Sequence, residues 1–142
     1  MSEQLHIDDV AVGDELPVVV KSASRAPLFL YSAATWNPHR IHYDKDYALT
    51  EGLPDVIVHG PLQGAWITQY LTDWAGPLGR LVSVSWQNRR SALPDADYEL
   101  RGTITAVDAA TGEVAIDARE QTPEGDVLVP VKAVVRLPRR GD

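Results

Sequence analysis

Apolar and polar residues alternate along the second half of the chain, which is the pattern of half-buried strands. Residues 80–87, 98–107, 113–122 and 127–137 predict four strands of this kind. Thr111-Gly112 and Glu124-Gly125 lie between consecutive segments, so antiparallel hairpins are expected there. Residues 15–24 contain three consecutive valines and predict a fifth strand near the start of the chain.

Apolar residues recur with helical spacing between the first and second predicted strands. Residues 26–34 and 45–51 predict two short helices, and residues 61 to about 74 predict the longest one, ended by Gly76-Pro77. The long helix is apolar around most of its circumference, so it should be buried against a sheet. Together these elements predict an α+β fold in a single domain that spans residues 1–142.

Composition narrows the class of protein. A chain of 142 residues with 44% apolar residues suits one domain with one core. It has no cysteine, which excludes disulfides and thiolate chemistry. The net charge of -7 disfavours nucleic-acid binding. The polar first ten residues exclude a signal peptide, and no apolar run is long enough to cross a membrane, so we expect a cytoplasmic protein.

Candidate chemistry is concentrated in residues 35–44, Thr-Trp-Asn-Pro-His-Arg-Ile-His-Tyr-Asp, which hold an amide, two imidazoles, an arginine and a carboxylate. Asn37 before Pro38 predicts a helix cap followed by a first-turn proline, which would expose the polar side chains on a turn. A second signal, His59-Gly60, opens the long helix. The two loops could therefore converge on one pocket.

These two motifs resemble those of the MaoC-like (R)-specific enoyl-thioester hydratase family, which has an Asp-x-Asn-Pro-x-His motif and a downstream His-Gly at a helix start. The first motif looks closest to the branch of mesaconyl-thioester hydratases and 3-hydroxyacyl dehydratases. Residues 69–77 are similar to a segment of small actinobacterial hydratase subunits of steroid breakdown. The resemblance covers roughly residues 8–137 and implies a hotdog fold, in which about five antiparallel strands wrap the long helix.

The resemblance implies a hydratase or dehydratase acting at the α,β double bond of an acyl thioester. It assigns the catalytic imidazole to His42, the position of the family aspartate to Asn37, and the oxyanion donor to the N–H of Gly60. His39, Arg40, His59, Arg89 and Arg90 are the candidate substrate-binding residues, because any coenzyme A would need cationic groups in so acidic a chain. No cofactor and no metal are expected.

Each residue also has a simpler explanation. His42 could be an exposed turn histidine, and Asn37 only a cap. Arg40 fits a structural ion pair better than a substrate clamp, and His59 fits a loop residue that holds geometry. His39, His42 and Asp44 could bind a metal, since imidazole and carboxylate suit zinc or iron, but the sequence fixes no further ligand.

Asn37 is the departure from the family pattern, because a carboxamide takes up no proton at neutral pH. Either His42 acts alone as base and then acid while Asn37 orients the water, or the chain is a silent or accessory subunit of a heteromeric hydratase. A thioesterase is a third alternative, but it would need a carboxylate on the long helix, and only Asp73 lies there. The expected partners are an acyl thioester, of coenzyme A or a carrier protein, and a second hotdog subunit in a homodimer or heteromer.

Overall fold

Five antiparallel strands form one sheet in the order β1-β3-β4-β5-β2 in this computed structural model, which describes residues 3–141. The strands are β1 (Val19–Lys21), β2 (Arg80–Trp86), β3 (Tyr98–Asp108), β4 (Glu113–Gln121) and β5 (Val127–Arg136). The helices are α1 (Arg25–Ala34), α2 (Lys45–Thr50) and α3 (Gly60–Ala75), with short 3-10 turns at Ile7–Asp9 and Arg40–His42.

The long strands pair as the sequence pattern predicts. Both expected hairpins are present, and β3 pairs with β4 and β4 with β5 in antiparallel register. Alternate residues of β4, including Val114, Ile116 and Ala118, are buried, which places the core on one face of the sheet. Gly112 turns the first hairpin with a φ of 75°, a conformation that favours glycine.

Helix α3 covers the core, as its apolar circumference predicts. Ile67, Tyr70 and Leu71 are buried in it. At Gly64 a side chain would overlap the indole of Trp86, so this glycine lets the helix approach β2 closely. Gly76, with a φ of 78°, caps the helix at its C-terminal end, as Gly76-Pro77 predicts. The long helix and the wrapped sheet together are the hotdog fold that the sequence led us to expect.

The first strand is shorter than predicted. Residues 15–24 were expected to be extended, but only Val19–Lys21 form a strand against β3. Glu15 makes an isolated bridge to Thr103, and Leu16 N–H donates to Gly102 O at 2.8 Å, so pairing begins earlier. Pro17 has no N–H and interrupts the ladder between these contacts, which the hydrophobic pattern does not reveal. Within residues 3–141, no helix combines the length and apolarity needed to cross a bilayer.

Candidate functional site

The polar segment before α2 forms a compact turn, and the predicted cap at Asn37 is wrong. The 3-10 turn begins later, at Arg40, and its N-cap is His39, whose Nδ1 accepts from Ile41 N–H at 3.4 Å. Asn37 Oδ1 instead accepts from His39 N–H at 3.3 Å. Asn and Asp side chains form such local turns readily, so the same residue preference fits a turn as well as a helix cap.

Arg40 is held by protein groups. Its Nη2 lies 2.6 Å from Asp44 Oδ2, and its guanidinium lies 4.5 Å from the ring centroid of Tyr47. The Arg40 side chain lowers the pKa of Asp44, which also caps α2 by accepting from Tyr47 N–H at 3.1 Å. The ion pair expected as the simpler explanation for Arg40 is therefore present. Because Asp44 is engaged this way, it faces Arg40 and the start of α2.

His42 is buried, in contrast to the exposed turn histidine considered from sequence. It is 7% exposed, and its Nδ1 lies 2.8 Å from the carbonyl oxygen of Ile57. A carbonyl only accepts, so Nδ1 carries the proton and Nε2 is left with a lone pair. Burial is the main cause that lowers the pKa of His42, and the nearby His39 lowers it further, whereas the hydrogen bond to Ile57 O raises it. The ring is therefore neutral at pH 7, with Nε2 available as a base.

His59 joins the two sequence motifs. It is completely buried at the N-cap of α3, and its ring stacks on His42 with 3.8 Å between centroids and an interplanar angle of 18°. Its Nε2 lies 2.7 Å from Ser32 Oγ, and Tyr31 packs against its ring with 4.7 Å between centroids. Burial, together with His42, lowers the pKa of His59 to about 4. His42 is thus in contact with the residue directly before Gly60.

The N-terminus of α3 provides backbone donors next to this stack. Gly60 and Pro61 form the first turn, and Gln63 N–H donates to His59 O at 3.1 Å. Since Pro61 has no N–H and the first N–H groups of a helix lack intrahelical acceptors, Gly60 and Leu62 supply the donors at this end. The helix dipole reinforces them toward negative charge. This arrangement can stabilise an anionic oxygen near His42.

A buried polar network that sequence reasoning missed lies beside Gly60. Gln63 Nε2 donates to Glu120 Oε1 at 2.8 Å, and Asn88 Nδ2 donates to Gln63 Oε1 at 3.0 Å. A Cβ at Gly60 would lie 3.0 Å from Asn88 Oδ1, so the amide covers this glycine closely. Glu120 is completely buried, and burial raises its pKa. The burial of Glu120 could have been predicted from sequence, because alternate residues of a strand share a face and Glu120 is in line with Ile116 and Ala118.

The remaining predicted residues lie around this centre. His39 is exposed, with 6.2 Å between its ring centroid and that of His42. Arg89 and Arg90 are exposed and follow Asn88 directly, and both donate backbone N–H groups to Leu128 O. Their covalent link to Asn88 holds their backbone near Gly60. Within residues 3–141, no group of three or more His, Cys, Asp and Glu side chains is arranged to hold a metal.

A cavity of about 600 Å³ lies elsewhere, beside the C-terminal half of α3. Leu16, Tyr70, Trp74 and Ile104 are among its lining residues. Neither His42 nor Gly60 lines it, so it is not the pocket expected where the two loops converge, and that pocket stays a prediction. The stacked histidines and the Gly60 N–H lie at the N-terminal end of α3 instead, so we place the candidate active site there and not in this cavity.

Comparison with known proteins identifies the class of this chain. Residues 15–94 match the model of the hydroxyacyl-thioester dehydratase type 2 family, and the chain belongs to that family. A solved MaoC-like dehydratase superposes with a TM-score of 0.88 and 29% identity, over 94% of this chain and 42% of that one. Both matches confirm the MaoC-like hydratase and dehydratase family, and its hotdog fold, which the two sequence motifs led us to expect.

Two characterised relatives match parts of the chain. A mesaconyl-C(4)-CoA hydratase of Chloroflexus aurantiacus is 49% identical over 55 residues, which are 34% of this chain and 20% of that protein. The beta subunit of a 3-oxo-4,17-pregnadiene-20-carboxyl-CoA hydratase of Mycobacterium tuberculosis is 31% identical over 86 residues, 57% of this chain and 64% of that one. The match spans less than two thirds of the length of either relative.

Proposed function

We propose that this chain adds water to, or removes it from, the α,β bond of an acyl thioester. One observation carries the proposal. His42, with Nε2 unprotonated, stacks at 3.8 Å on His59, and His59 immediately precedes the N–H of Gly60. In the proposed site, the contact between the His42 and His59 rings therefore places the base, His42, next to the oxyanion donor, Gly60 N–H. Hydration of an enoyl thioester requires both groups.

In the hydration direction, His42 Nε2 removes a proton from water as the water oxygen bonds to the β-carbon. The π electrons shift toward the carbonyl, and negative charge forms on the thioester oxygen. Gly60 N–H donates to that oxygen, and one such donor lowers the barrier by about 3 kcal/mol. The protonated His42 then delivers its proton to the α-carbon, which restores the carbonyl. Dehydration follows the same steps in reverse.

Asn37 cannot share the proton, because a carboxamide only donates and accepts hydrogen bonds near neutral pH. We therefore assign both proton transfers to His42 and the orientation of the water to Asn37. The Oδ1 atom of Asn37 is already turned to His39 N–H at 3.3 Å, which leaves its amide N–H groups as donors. A donor holds a water by its lone pair and leaves the water protons for the base.

The candidate substrate-binding residues divide by their contacts. Arg89 and Arg90 are exposed beside Asn88 and are our candidates for the phosphates of coenzyme A or a phosphopantetheine carrier. His39 is exposed on the same turn as His42 and is a candidate for the thioester arm. Arg40 is paired with Asp44 and His59 is completely buried, so we assign them to the support of the site.

A second hotdog unit is the proposed partner. The MaoC-like dehydratase that superposes on this chain is more than twice as long as the matched region, and one characterised relative is named a beta subunit. These observations favour an assembly of two units, either two copies or two different chains. The same observations support the alternative that this chain is an accessory subunit whose partner performs the catalysis.

Thioester hydrolysis fits the site less well. The carboxylate expected for it, Asp73, lies near the C-terminal end of α3, thirteen residues after Gly60. At a rise of about 1.5 Å per residue, this places its backbone about 20 Å from the Gly60 donor.

The cytoplasmic location expected from the sequence also stays a prediction.

A spectrophotometric hydration assay on a panel of enoyl-CoA thioesters tests the proposal, with the chain alone and with the product of a neighbouring gene. Turnover by the chain alone supports an autonomous enzyme. If turnover appears only with the second chain and survives His42→Ala, the accessory alternative is correct. If no hydration occurs under either condition but free thiol is released, the proposed hydration is wrong and hydrolysis is favoured.

A further inference from the structure

Contacts of the stacked histidines extend to a residue that the proposed reaction does not use. Ser32 lies on α1 and is 5% exposed, and its Oγ is 2.7 Å from Nε2 of the completely buried His59. The ring of His59 lies 3.8 Å from that of His42. A hydroxyl on one helix is therefore linked to the proposed base on another turn through a single buried ring.

The partners of His59 determine where its proton resides. Its Nδ1 is buried and has no hydrogen-bond partner among residues 3–141. A buried N–H without an acceptor is rarer in native proteins than a buried acceptor that is not fully satisfied. The proton of the neutral ring therefore belongs on Nε2, where it is donated to Ser32 Oγ. One hydroxyl thus fixes both the tautomer and the plane of the His59 ring.

We propose that Ser32 and His59 are positioning residues for His42. Ser32 holds the His59 ring, and that ring holds the His42 imidazole flat, with Nδ1 on Ile57 O and Nε2 free for the reaction. The inference rests on the proposed role of His42 as the base. It adds to that role a residue that neither sequence motif contains.

The groups that surround His42 favour its neutral form. Burial is the main cause that lowers the pKa of His42, and the nearby imidazole of His39 lowers it further, against the bond to Ile57 O. Arg40 and Asp44, on the same turn and at the start of α2, neutralise each other. The rings of Tyr31 and Tyr47 lie beside those of His59 and His39, with 4.7 Å and 6.2 Å between centroids, respectively. Release of the His59 ring would admit water and raise the pKa of His42 toward its ordinary value.

Two variants test the inference in the full chain. Ser32→Ala removes the hydroxyl, and His59→Gln retains an amide donor for Ser32 but removes the stacked ring. In Ser32→Ala we expect kcat to fall about tenfold, the rate equivalent of one lost neutral hydrogen bond, with KM little changed. In His59→Gln we expect kcat to fall at least as far, because the ring that packs on His42 is removed. The acid limb of kcat/KM should move to higher pH. NMR titration should show the same upward shift in the pKa of His42.

Controls separate positioning from general stability. Thr35→Ala removes another hydroxyl near α1, one that donates to Tyr31 O at 2.6 Å, and should move neither the pH profile nor the His42 titration. Ser32→Thr restores a hydroxyl and should return the acid limb toward that of the wild type. His59→Gln decides the question if Ser32→Ala fails to fold.

An unchanged pKa of His42 in folded Ser32→Ala or His59→Gln overturns the inference, even if activity falls with the folded fraction. The titration does not depend on turnover. If the wild type hydrates no enoyl thioester, the proposed function fails, while the NMR comparison still determines whether Ser32 and His59 position His42.

Discussion

At the scale of single residues, the proposed reaction depends on Nε2 of His42, which is unprotonated because Nδ1 is 2.8 Å from a carbonyl oxygen. His42→Ala should lower kcat by about two to four orders of magnitude, the usual effect of losing a general acid and base. Steady-state hydration kinetics measure the change, and circular dichroism checks the fold. His6→Ala, at the N-cap of the 3-10 turn Ile7–Asp9 and outside the proposed site, is the matched histidine control. Turnover retained in His42→Ala would remove this residue from the mechanism.

The residue-scale departure from the family pattern is Asn37. Asn37→Asp should retain or raise hydratase activity, because it restores the carboxylate of the commoner motif and keeps an oxygen for the His39 N–H bond at 3.3 Å. Asn37→Ala, which removes both the oxygen and the amide donors, is the comparison and should lower kcat. Initial rates at a fixed pH measure both. A large loss in Asn37→Asp would show that the amide N–H groups themselves are required.

At the scale of elements, the long helix and strands could be predicted from sequence because their signals are local. Pro61 and Gly76 mark the ends of α3 to within a residue. The ends of β1 could not be predicted, because they depend on hydrogen bonds to β3, about eighty residues later in the sequence, and Pro17 interrupts that pairing. Similarly, the His42 and His59 motifs could be recognised, but the stack and its Ser32 contact require the approach of α1 to α3. Asn88 carried no local signal at all.

The buried network under α3 predicts how stability depends on pH. Burial raises the pKa of Glu120 above its unfolded value, so the native state binds the proton more tightly than the unfolded state does. Stability should therefore fall as the pH rises from about 4.5 through the higher native pKa. Glu120→Gln, which keeps the Oε1 acceptor for Gln63, should remove this decline and stabilise the protein at neutral pH. Urea unfolding at several pH values measures it, and an equal decline in both proteins would contradict it.

At the scale of the whole molecule, the sheet ends in two edges, β1 and β2. β2 is the longer edge, with seven residues against three in β1, and its Val82 is 44% exposed. A long edge with exposed apolar side chains is normally paired or covered. We therefore expect a dimer, in line with the proposed pair of hotdog units, and light scattering should return about twice the 15.6 kDa of one chain.

The edge that forms this dimer can be identified by one substitution. Val82→Lys places a charge on β2, at the register break between Leu81 and Ser83. It should shift the protein toward monomer, because lysines on an edge strand oppose pairing. Val18→Lys is the matched control, since Val18 is also 44% exposed but lies beside the short β1 edge, and it should leave the dimer intact. If both variants remain dimeric, the contact lies away from β2. If the wild type is a monomer at micromolar concentration, the chain works alone or awaits a different partner, and the two-unit assembly is wrong for this chain by itself.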